Sequence, residues 1–409
     1  MKVKLIETLF IKAIPVLEKI ETHGFEAYFV GGSVRDKLLN RPIHDIDIAS
    51  SARPDEIQAM FKSTIDVGKE HGTIIAIVDK EAYEITTFRT EGTYSDFRRP
   101  DEVHFVRNLK EDTLRRDFTI NAIAIDRKGQ VYDYHGGIQD LNNKMIRAVG
   151  VAKERFNEDA LRMMRAIRFA SQLGFVIEKE TFNAINELAP LLAHISIERI
   201  RIEFSKFMQG KYFPKYASLL NQTGLMNYMK GLEDASTTIM ESVALQIEPL
   251  LEVKSEPDER LCWALLVREL GFVNYHSIRR FLKTWTHSNQ FIQDVSDIVE
   301  IMTIFEEETL DLWQVYYYDT ALLYLVEDWY LALNKEKSKQ LDKLITALPI
   351  KHRNELVING RDIMKFLSLD KGTPQVGELF NQIEYLVVTN QLDNDYQTIE
   401  SYVYSTKDK

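Results

Sequence analysis

The sequence predicts a mixed α/β domain over residues 1–140 followed by an all-helical region that runs to residue 409. Short apolar stretches bounded by turn residues, which are typical of strands, are confined to the first part. Beyond residue 140 the apolar residues recur with a helical period. An apolar fraction of 45% fits a globular protein, and no apolar run reaches the roughly 18 residues of a membrane-spanning helix.

The expected elements of the first region alternate between helices and strands. Helices are predicted over residues 1–20, 34–40 and 55–62, and strands over 27–30, 43–49, 73–78, 82–88, 120–126 and 130–134. Residues 89–102 are polar and rich in turn residues, so we expect a mobile loop there.

The second region predicts helices almost throughout. They are expected at 158–173, 179–188, 197–208, 214–220, 261–270, 276–284, 291–305, 312–333, 335–348 and 378–389. The net charge of −11 is uneven, because residues 1–210 carry −1 and residues 211–409 carry −10. Arginines bunched in the first half can still bind phosphates locally. A single cysteine, Cys262, excludes a disulfide framework within the chain and fits a cytoplasmic location.

A pair of carboxylates predicts a metal site. Asp45 and Asp47 are spaced i, i+2, so in the expected strand they point to the same face. Two such charges repel and raise each other's pKa, and a divalent cation removes the conflict. Mg²⁺ suits one or two carboxylates completed by substrate phosphate and water. Taken alone, the pair would fit a solvated edge strand better.

The glycine-rich turn before these carboxylates predicts a phosphate-binding cradle. It reads GGSVRD over residues 31–36, between an expected strand and an expected helix. Backbone N–H groups around Gly32, at the start of a helix, can receive a triphosphate. Arg35 is placed to add a fork of donors. The combination of turn and carboxylates favours a nucleotide site over a solvated strand.

Two further stretches offer candidate groups. Glu84, on a strand expected in the same sheet, can complete a metal site or accept a proton from an attacking hydroxyl. The arginines of RRDFTINA, residues 115–122, suggest phosphate and sugar contacts, and Asn121 suggests contact with a 2′-hydroxyl. Each stretch alone would be ordinary, as a strand-face glutamate and a surface Arg–Asp pair.

The spacing of four charged residues predicts a stripe along one helix. They recur every three residues, at Asp159, Arg162, Arg165 and Arg168. Three arginines with one acid in register leave positive charge unneutralised, which favours an anionic partner over a solvated face with one salt bridge. A carboxylate and a guanidinium one turn apart also form an acceptor–donor pair that can read a base edge.

Six motifs in order resemble those of the class II tRNA nucleotidyltransferases, and specifically the bacterial CCA-adding enzymes. They are GGSVRD, DID, RRDFTINAIA, DYHGGIQDL, EDALRMMRAIRF and SIERIRIEF, and they span about residues 25–210. The resemblance implies a polymerase-β-like head over 1–140, a helical neck over 141–210, a body over 211–305 and a tRNA-binding tail over 306–409. Residues 133–141 would be the hinge between head and neck, and residues 197–204 would support the nucleotide-selecting helix.

The resemblance also implies which residues act in catalysis. Asp45 and Asp47 would be the metal-binding catalytic pair, with Glu84 as a third carboxylate. Two Mg²⁺ ions would assist in-line attack of a 3′-hydroxyl on the α-phosphate of the nucleotide. Whether Glu84 would act as a base or as a ligand is left open.

Seven residues would contact the nucleotide by the same resemblance. They are Gly32, Arg35, Arg116, Asp159, Arg162, Arg165 and Arg168. Among them, Asp159 and Arg162 would form an amino-acid template for the incoming base. A carboxylate can accept from the amine of cytosine or adenine, and a guanidinium can donate to their ring acceptors. Uracil and guanine would leave a buried charge unpaired, which costs several kcal/mol.

The implied activity is addition of C, C and A to the 3′ end of tRNA from CTP and ATP, without a nucleic acid template. The expected partners are the tRNA acceptor arm and the two nucleotides, with no membrane; a homodimer stays open. The alternatives are a bacterial poly(A) polymerase and enzymes that add only CC or only A. Residues 89–102 resemble the flexible loop of full CCA enzymes, and the acidic C-terminal half argues against a poly(A) polymerase. Intact Asp45 and Asp47 argue against a purely RNA-binding module.

Overall fold

The computed structural model describes residues 1–92 and 103–407. It divides into two compact units, one of residues 1–244 with 284–286 and one of residues 245–283 with 287–409. The first unit has a mixed sheet followed by helices. In the second unit, the described residues form helices and the segments that connect them, without strands. The predicted class, an α+β head followed by helices, is confirmed; the finer division into head, neck, body and tail remains a proposal.

The first unit is built on a seven-stranded sheet with the order β3-β4-β5-β2-β1-β8-β9. Two shorter pairs, β6 with β7 and β10 with β11, accompany it. The strands are β1 (Ala27–Val30), β2 (Asp47–Ser50), β3 (Thr64–Gly68), β4 (Thr73–Val78), β5 (Glu81–Thr87), β6 (Arg89–Glu91), β7 (Val103–Phe105), β8 (Ala124–Ile125), β9 (Val131–Tyr132), β10 (Met145–Ile146) and β11 (Val176–Ile177). Within the large sheet only the pairing of β2 with β5 is parallel.

Helices pack on this sheet and continue the chain. Those of the first unit are α1 (Thr8–Thr22), α2 (Gly31–Leu38), α3 (Pro54–Met60), α4 (Leu109–Leu114), α5 (Gly137–Asn142), α6 (Ala152–Glu158), α7 (Leu161–Leu173), α8 (Lys179–Leu188), α9 (Ile197–Met208), α10 (Phe213–Tyr216) and α11 (Leu219–Gln222). The next helix, α12 (Ile239–Leu251), runs through residue 244, where the division falls.

Both faces of the sheet are covered by apolar side chains. On α1, the apolar side chains at helical spacing are buried, and Phe10 meets Phe29 of β1 edge to face, with ring centroids 4.8 Å apart. A second cluster joins Val30 and Ala49 to Phe88 and Leu109. Because β1 and β2 are fixed from both sides, the residues at their ends have defined positions.

The second unit consists of helices around apolar cores. They are α13 (Glu259–Glu269), α14 (Tyr275–Thr284), α15 (Asn289–Glu306), α16 (Leu312–Tyr317), α17 (Thr320–Leu333), α18 (Leu341–Ala347), α19 (Gly360–Leu367), α20 (Pro374–Val388) and α21 (Tyr396–Lys407). Ile363, Ile383, Val387 and Ile399 form the centre of one core near the C-terminus. Among the described residues, no helix has the length and apolar character that a membrane crossing requires.

Several predicted boundaries are wrong, and two of them bear on the site. The strand expected at 43–49 begins only at Asp47, so Asp45 lies in the preceding loop. The helix expected at 158–173 is two helices, α6 and α7. At the break Asp159 has extended backbone, with φ −137° and ψ 101°. Asp159 therefore does not continue the arginine stripe of α7.

Other differences concern the remaining elements. The segment 120–126 is a 3-10 turn (Thr119–Asn121) before the short β8. The helix expected at 312–333 is broken into α16 and α17, and the one expected at 335–348 is helical only as α18. Of the loop expected at 89–102, residues 89–91 form β6, and residues 93–102 lie outside the described residues.

Candidate active site

Nine of the ten predicted site residues line one open cleft of about 1200 Å³, a volume that includes the solvent in its mouth. They are Gly32, Arg35, Asp45, Asp47, Arg116, Asp159, Arg162, Arg165 and Arg168. The cleft lies between the start of α2, the start of β2, the segment after α4, and α7 with α9. Glu84 is outside the lining, but it lies beside Asp47 in the parallel register of β2 and β5.

Asp47 and the turn at Gly31 form the carboxylate end of the cleft. α2 begins at Gly31, directly after β1, and Gly31 has a positive φ of 72°. A Cβ at Gly31 would lie 3.1 Å from Asp47 Oδ2. The backbone angle therefore favours glycine here, and a side chain would also press on the Asp47 carboxylate. The first amides of α2 thus start beside Asp47.

The electrostatics of Asp47 fit a bound cation. Burial raises the pKa of Asp47 to about 6, with further increases from Asp45 and Glu84 and a partial decrease from Arg116. Three carboxylates near one another are therefore incompletely compensated by the chain itself. Oxygen donors of this kind suit a divalent metal ion. Within the described ranges, no three His, Cys, Asp or Glu side chains already converge as a metal-binding cluster.

Arg35 is held by side chains on two sides. It forms a bidentate pair with Asp36 at 3.0 and 2.9 Å, and its Nη1 donates to Asn121 Oδ1 at 2.9 Å. Its guanidinium also lies 5.0 Å from the ring centroid of Phe169. Arg35 is only 9% exposed, so its orientation in the cleft is set before any ligand binds.

Arg116 reaches the cleft from the end of α4. Its Nη2 lies 3.3 Å from Oδ2 of the fully buried Asp112, which also pairs with Arg115 at 2.8 Å. Burial alone would raise the pKa of Asp112, but the two arginines hold it below its usual range. Arg116 Nε is buried and has no hydrogen-bond partner among the described residues. A buried, unsatisfied donor near Asp47 is consistent with an anionic ligand.

Asp117 links the segment after α4 to α7. Its carboxylate accepts from Arg165 at 2.6 and 2.8 Å and from the side-chain amide of Asn121 at 3.0 Å. Burial would raise the pKa of Asp117, but Arg165 and Asn121 lower it to about 2. Since Asn121 also binds Arg35, one polar network extends from α2 to α7.

Arg168 is buried against α9. It forms an ion pair with Glu203 at 2.9 Å and stacks 4.2 Å from the ring centroid of Phe169. Burial lowers the pKa of Arg168 to about 10, and Glu203 opposes that decrease. The side chain therefore stays charged at neutral pH while only 8% exposed.

Asp159 and Arg162 line the same cleft as the carboxylates, where α6 ends and α7 begins. Asp159 Oδ1 accepts from the amide of Leu161 at 3.0 Å, and its Oδ2 pairs with Arg199 at 2.7 Å. Arg162 Nη1 donates to Glu158 at 2.6 Å, and Nη2 donates to the carbonyl of Arg115 at 2.9 Å. Both side chains are thus fixed by neighbours, and a carboxylate still has lone pairs for a base amine.

The expectation of unneutralised arginines is wrong for this stripe. Each arginine of α7 meets a carboxylate from elsewhere in the chain: Glu158, Asp117 and Glu203. The alternative of a solvated face fails as well, because Arg162 and Arg168 are each 8% exposed. The arginines form a paired wall of the cleft, in which Arg162 and Arg168 are buried and Arg165 is partly exposed.

Sequence reasoning missed several residues of this wall. They include Asp36, Asp117, Glu158, Phe169, Arg199 and Glu203. Most lie inside motifs already noted, next to the predicted residues. The sequence did contain a signal for them, because an acidic residue stands beside each arginine-rich stretch. Such a neighbour indicates an ion pair within the protein as much as a bound ligand. Which acid meets which arginine depends on long-range packing.

Comparison with family models covers most of the chain. Residues 27–147 match "Poly A polymerase head domain", and residues 174–235 match "Probable RNA and SrmB- binding site of polymerase A". Residues 255–403 match "tRNA nucleotidyltransferase domain 2 putative". The first match contains the carboxylates and the glycine-rich turn.

Full-length relatives are similar over the whole chain. A CCA-adding enzyme of Enterococcus faecalis is 45% identical over 410 residues, covering 100% of this chain and 99% of that protein. One of Streptococcus gordonii is 42% identical over 414 residues, covering 100% of both.

Solved structures show the same architecture. The crystal structure of the Bacillus stearothermophilus CCA-adding enzyme in complex with CTP aligns with a TM-score of 0.87 at 36% identity, over 98% of each chain. The Thermotoga maritima CCA-adding enzyme complexed with tRNA aligns with a TM-score of 0.62 at 21% identity, over 98% of this chain and 96% of that one. The second likeness concerns the fold alone.

Proposed function

The chain belongs to the family of CCA-adding enzymes, which are tRNA nucleotidyltransferases, and we propose that it adds C, C and A to the 3′ end of tRNA in the cytoplasm. CTP would supply CMP twice and ATP would supply AMP once. In each step the terminal 3′-hydroxyl attacks the α-phosphate, the bond to the β-phosphate breaks, and pyrophosphate leaves.

The observation that carries this proposal is the arrangement of the cleft. Asp47 lies beside the first amides of α2, where a triphosphate would bind. Asp159 and Arg162, held by Arg199 and Glu158, line the same cleft. The arginines of α7 line it as well. We place the phosphates of the nucleotide at α2 and its base at Asp159.

A divalent metal ion fits the carboxylate end, and we propose Mg²⁺. Asp45 and Asp47 would hold it, with Glu84 as the third carboxylate of the site. When bound, the metal stabilises charge on the reacting phosphate oxygens. The chain's own part is to place Asp47 in front of α2 and to orient Arg35 and Arg116 toward the phosphates.

Base choice would belong to Asp159 and Arg162. The carboxylate accepts from the exocyclic amine that cytosine and adenine share, and the guanidinium donates to their ring acceptors. UTP and GTP mismatch this pattern. Because the two side chains are held by Arg199 and Glu158, the mismatch cannot be relieved by a simple rotation of either side chain.

The alternatives share the head but differ in product. Poly(A) polymerases share the head model that residues 27–147 match. The relatives that cover the full length, at 45% and 42% identity, are CCA-adding enzymes, which favours the full activity. Residues 89–102 resemble the loop of full CCA enzymes that CC-adding enzymes lack, which favours the full activity over CC addition alone.

The test is direct. The purified chain is incubated with Mg²⁺, tRNA transcripts ending before CCA, after C or after CC, and labelled CTP or ATP. The expected result is two C residues and then one A on the first transcript. A long adenosine tail from ATP alone would instead indicate a poly(A) polymerase, and arrest after CC would indicate a partial enzyme. The Asp45→Ala and Asp47→Ala variants should incorporate neither nucleotide while still binding tRNA, which excludes a contaminating activity.

A further inference from the structure

Helix α14 has two opposite faces of different chemistry. Ile278, Phe281 and Leu282 are buried, and the ring of Phe281 contacts those of Trp263 and Phe272, with centroids 6.5 and 5.4 Å apart. This inner face fixes the helix in the second unit. The outer face is polar and exposed, and it contains a basic row.

The basic row consists of His276, Arg279, Arg280 and Lys283, all exposed. Their spacing is i, i+3, i+4 and i+7, which places them along one stripe of a helix. Successive turns of that stripe are about 5.4 Å apart. Two arginines and a lysine are charged at neutral pH, so three positive charges project from one face of a helix.

Arg279 and Arg280 differ from three of the four other arginines of this unit, the exception being the exposed Arg361. Arg260, Arg268 and Arg353 each pair with a carboxylate, at 2.8, 2.7 and 3.2 Å. Within residues 1–92 and 103–407, neither Arg279 nor Arg280 forms an ion pair or a side-chain hydrogen bond. Residues 211–409 carry a net charge of −10, so acids were available to neutralise this row. The row is therefore positive within a part of the chain whose net charge is negative.

We infer that the outer face of α14, formed by His276, Arg279, Arg280 and Lys283, binds phosphates of the tRNA backbone. The inference rests on the proposed function, since tRNA is the polyanion that the chain would have to hold. Arginine and lysine are the side chains that contact phosphates, and a row along a helix can follow successive phosphates of one strand. The family model that covers α14 is a tRNA nucleotidyltransferase domain.

The test compares tRNA affinity and steady-state kinetics of three double variants. Arg279→Ala with Arg280→Ala removes the two charges. Arg279→Lys with Arg280→Lys retains them. Lys335→Ala with Lys337→Ala is the matched control, because it removes two charges from the same unit that already pair with Glu252 and Glu308. Each protein is assayed with tRNA lacking CCA at several salt concentrations, and its thermal unfolding is checked.

The expected result is a rise of roughly 5- to 30-fold in KM for tRNA in the double alanine variant of α14, with kcat and KM for CTP unchanged. The slope of log affinity against log salt should fall by about 1.8, since each lost phosphate contact contributes about 0.9. The lysine variant should recover most of the affinity, and the control should match the wild type. Unchanged tRNA affinity and salt slope in the alanine variant would overturn the inference, as would an equal loss in the control. Wild-type addition of C, C and A in the same assay tests the proposed function separately.

Discussion

Asp159 and Arg199 form an ion pair of 2.7 Å that joins the break between α6 and α7 to a third helix, α9. Asp159 follows the last residue of α6, and its other oxygen accepts from the amide of Leu161 at the start of α7. Both oxygens thus have structural partners before a base arrives. Arg199 Nη1 is buried without a hydrogen-bond partner among the described residues, so this arginine has a donor left in the cleft that it lines.

Arg199→Ala should loosen base selection more than it slows transfer. Without the guanidinium, Asp159 loses one of the two contacts that fix it. We expect the ratio of kcat/KM for CTP to that for UTP to fall roughly 5- to 30-fold, which corresponds to about 1–2 kcal/mol. The measurement is competition between the two nucleotides on tRNA lacking CCA.

The matched control for that variant is Lys206→Ala, which removes an exposed cation from the same helix. It should leave the CTP/UTP ratio unchanged. Should Arg199→Ala lower the use of both nucleotides equally, Arg199 would only stabilise the fold of α9, and the role assigned to its pair with Asp159 would be wrong.

Asp47→Asn should stabilise the metal-free protein while removing activity. Asp47 has an ordinary pKa of 3.8 and a folded-state pKa of about 6. A raised carboxyl pKa makes the folded state less stable as the group ionises. This destabilisation of the folded state is absent below about pH 4, grows between about pH 4 and pH 6, and is complete above about pH 6. A pKa difference of about 2 between the folded and unfolded states corresponds to about 3 kcal/mol, so we expect a gain of up to about 3 kcal/mol in the free energy of unfolding at pH 7–8 in EDTA.

Denaturant unfolding of both proteins between pH 4 and 8 measures this gain. It should shrink toward zero as the pH falls to 4, and added Mg²⁺ should reduce it at pH 8 by stabilising the wild type only. A gain that is constant over this pH range, or no effect of Mg²⁺ on the wild type, would contradict the assignment of Asp47 as an uncompensated metal-binding carboxylate.

Replacing residues 93–102 with a short Gly-Ser link should spare CC addition and impair A addition. This replacement keeps β6 and β7, which pair from Arg89 with Phe105 to Glu91 with Val103. The change from C to A must reshape one cleft around a larger base, and a polar segment joined to the head can drive that change. Product length on tRNA ending before CCA and on tRNA ending after CC separates the two steps. An equal loss of both would mean that the segment is general scaffold.

Much of the head could be predicted because its strands are short, apolar and bounded by turns. The predicted strand at 27–30 and helices at 179–188 and 197–208 match β1, α8 and α9. β3 was missed because it is a sheet edge with Ile65 and Val67 about half exposed, at 48% and 52%. Because these apolar side chains are not buried, their pattern in the sequence does not indicate a strand.

The positions where predicted helices break are marked in the sequence by aspartates, which a search for helical periodicity of apolar residues overlooks. Asp319 accepts from the amide of Ala321 at 2.7 Å and begins α17, and Asp159 makes the same kind of bond ahead of α7. An aspartate inside an apolar repeat is a helix-start signal. In contrast, the pairing of Arg168 with Glu203 joins residues far apart in sequence. Such partners depend on how α7 and α9 pack, which spacing along the chain does not encode.

The measurement that tests the central claim most directly is the CTP/UTP ratio of Asp159→Ala. The claim is that one cleft selects the base with Asp159 and Arg162 while its carboxylates, Asp45 and Asp47, serve transfer. Asp159→Ala removes the acceptor for the base amine, so UTP should be incorporated more readily and the ratio of kcat/KM should fall by about 5- to 150-fold, or about 1–3 kcal/mol. Arg162→Ala, assayed beside it, should weaken CTP and ATP use together. If Asp159→Ala lowers the use of all nucleotides equally and the CTP/UTP ratio stays at the wild-type value, Asp159 is structural and the account of base selection is contradicted.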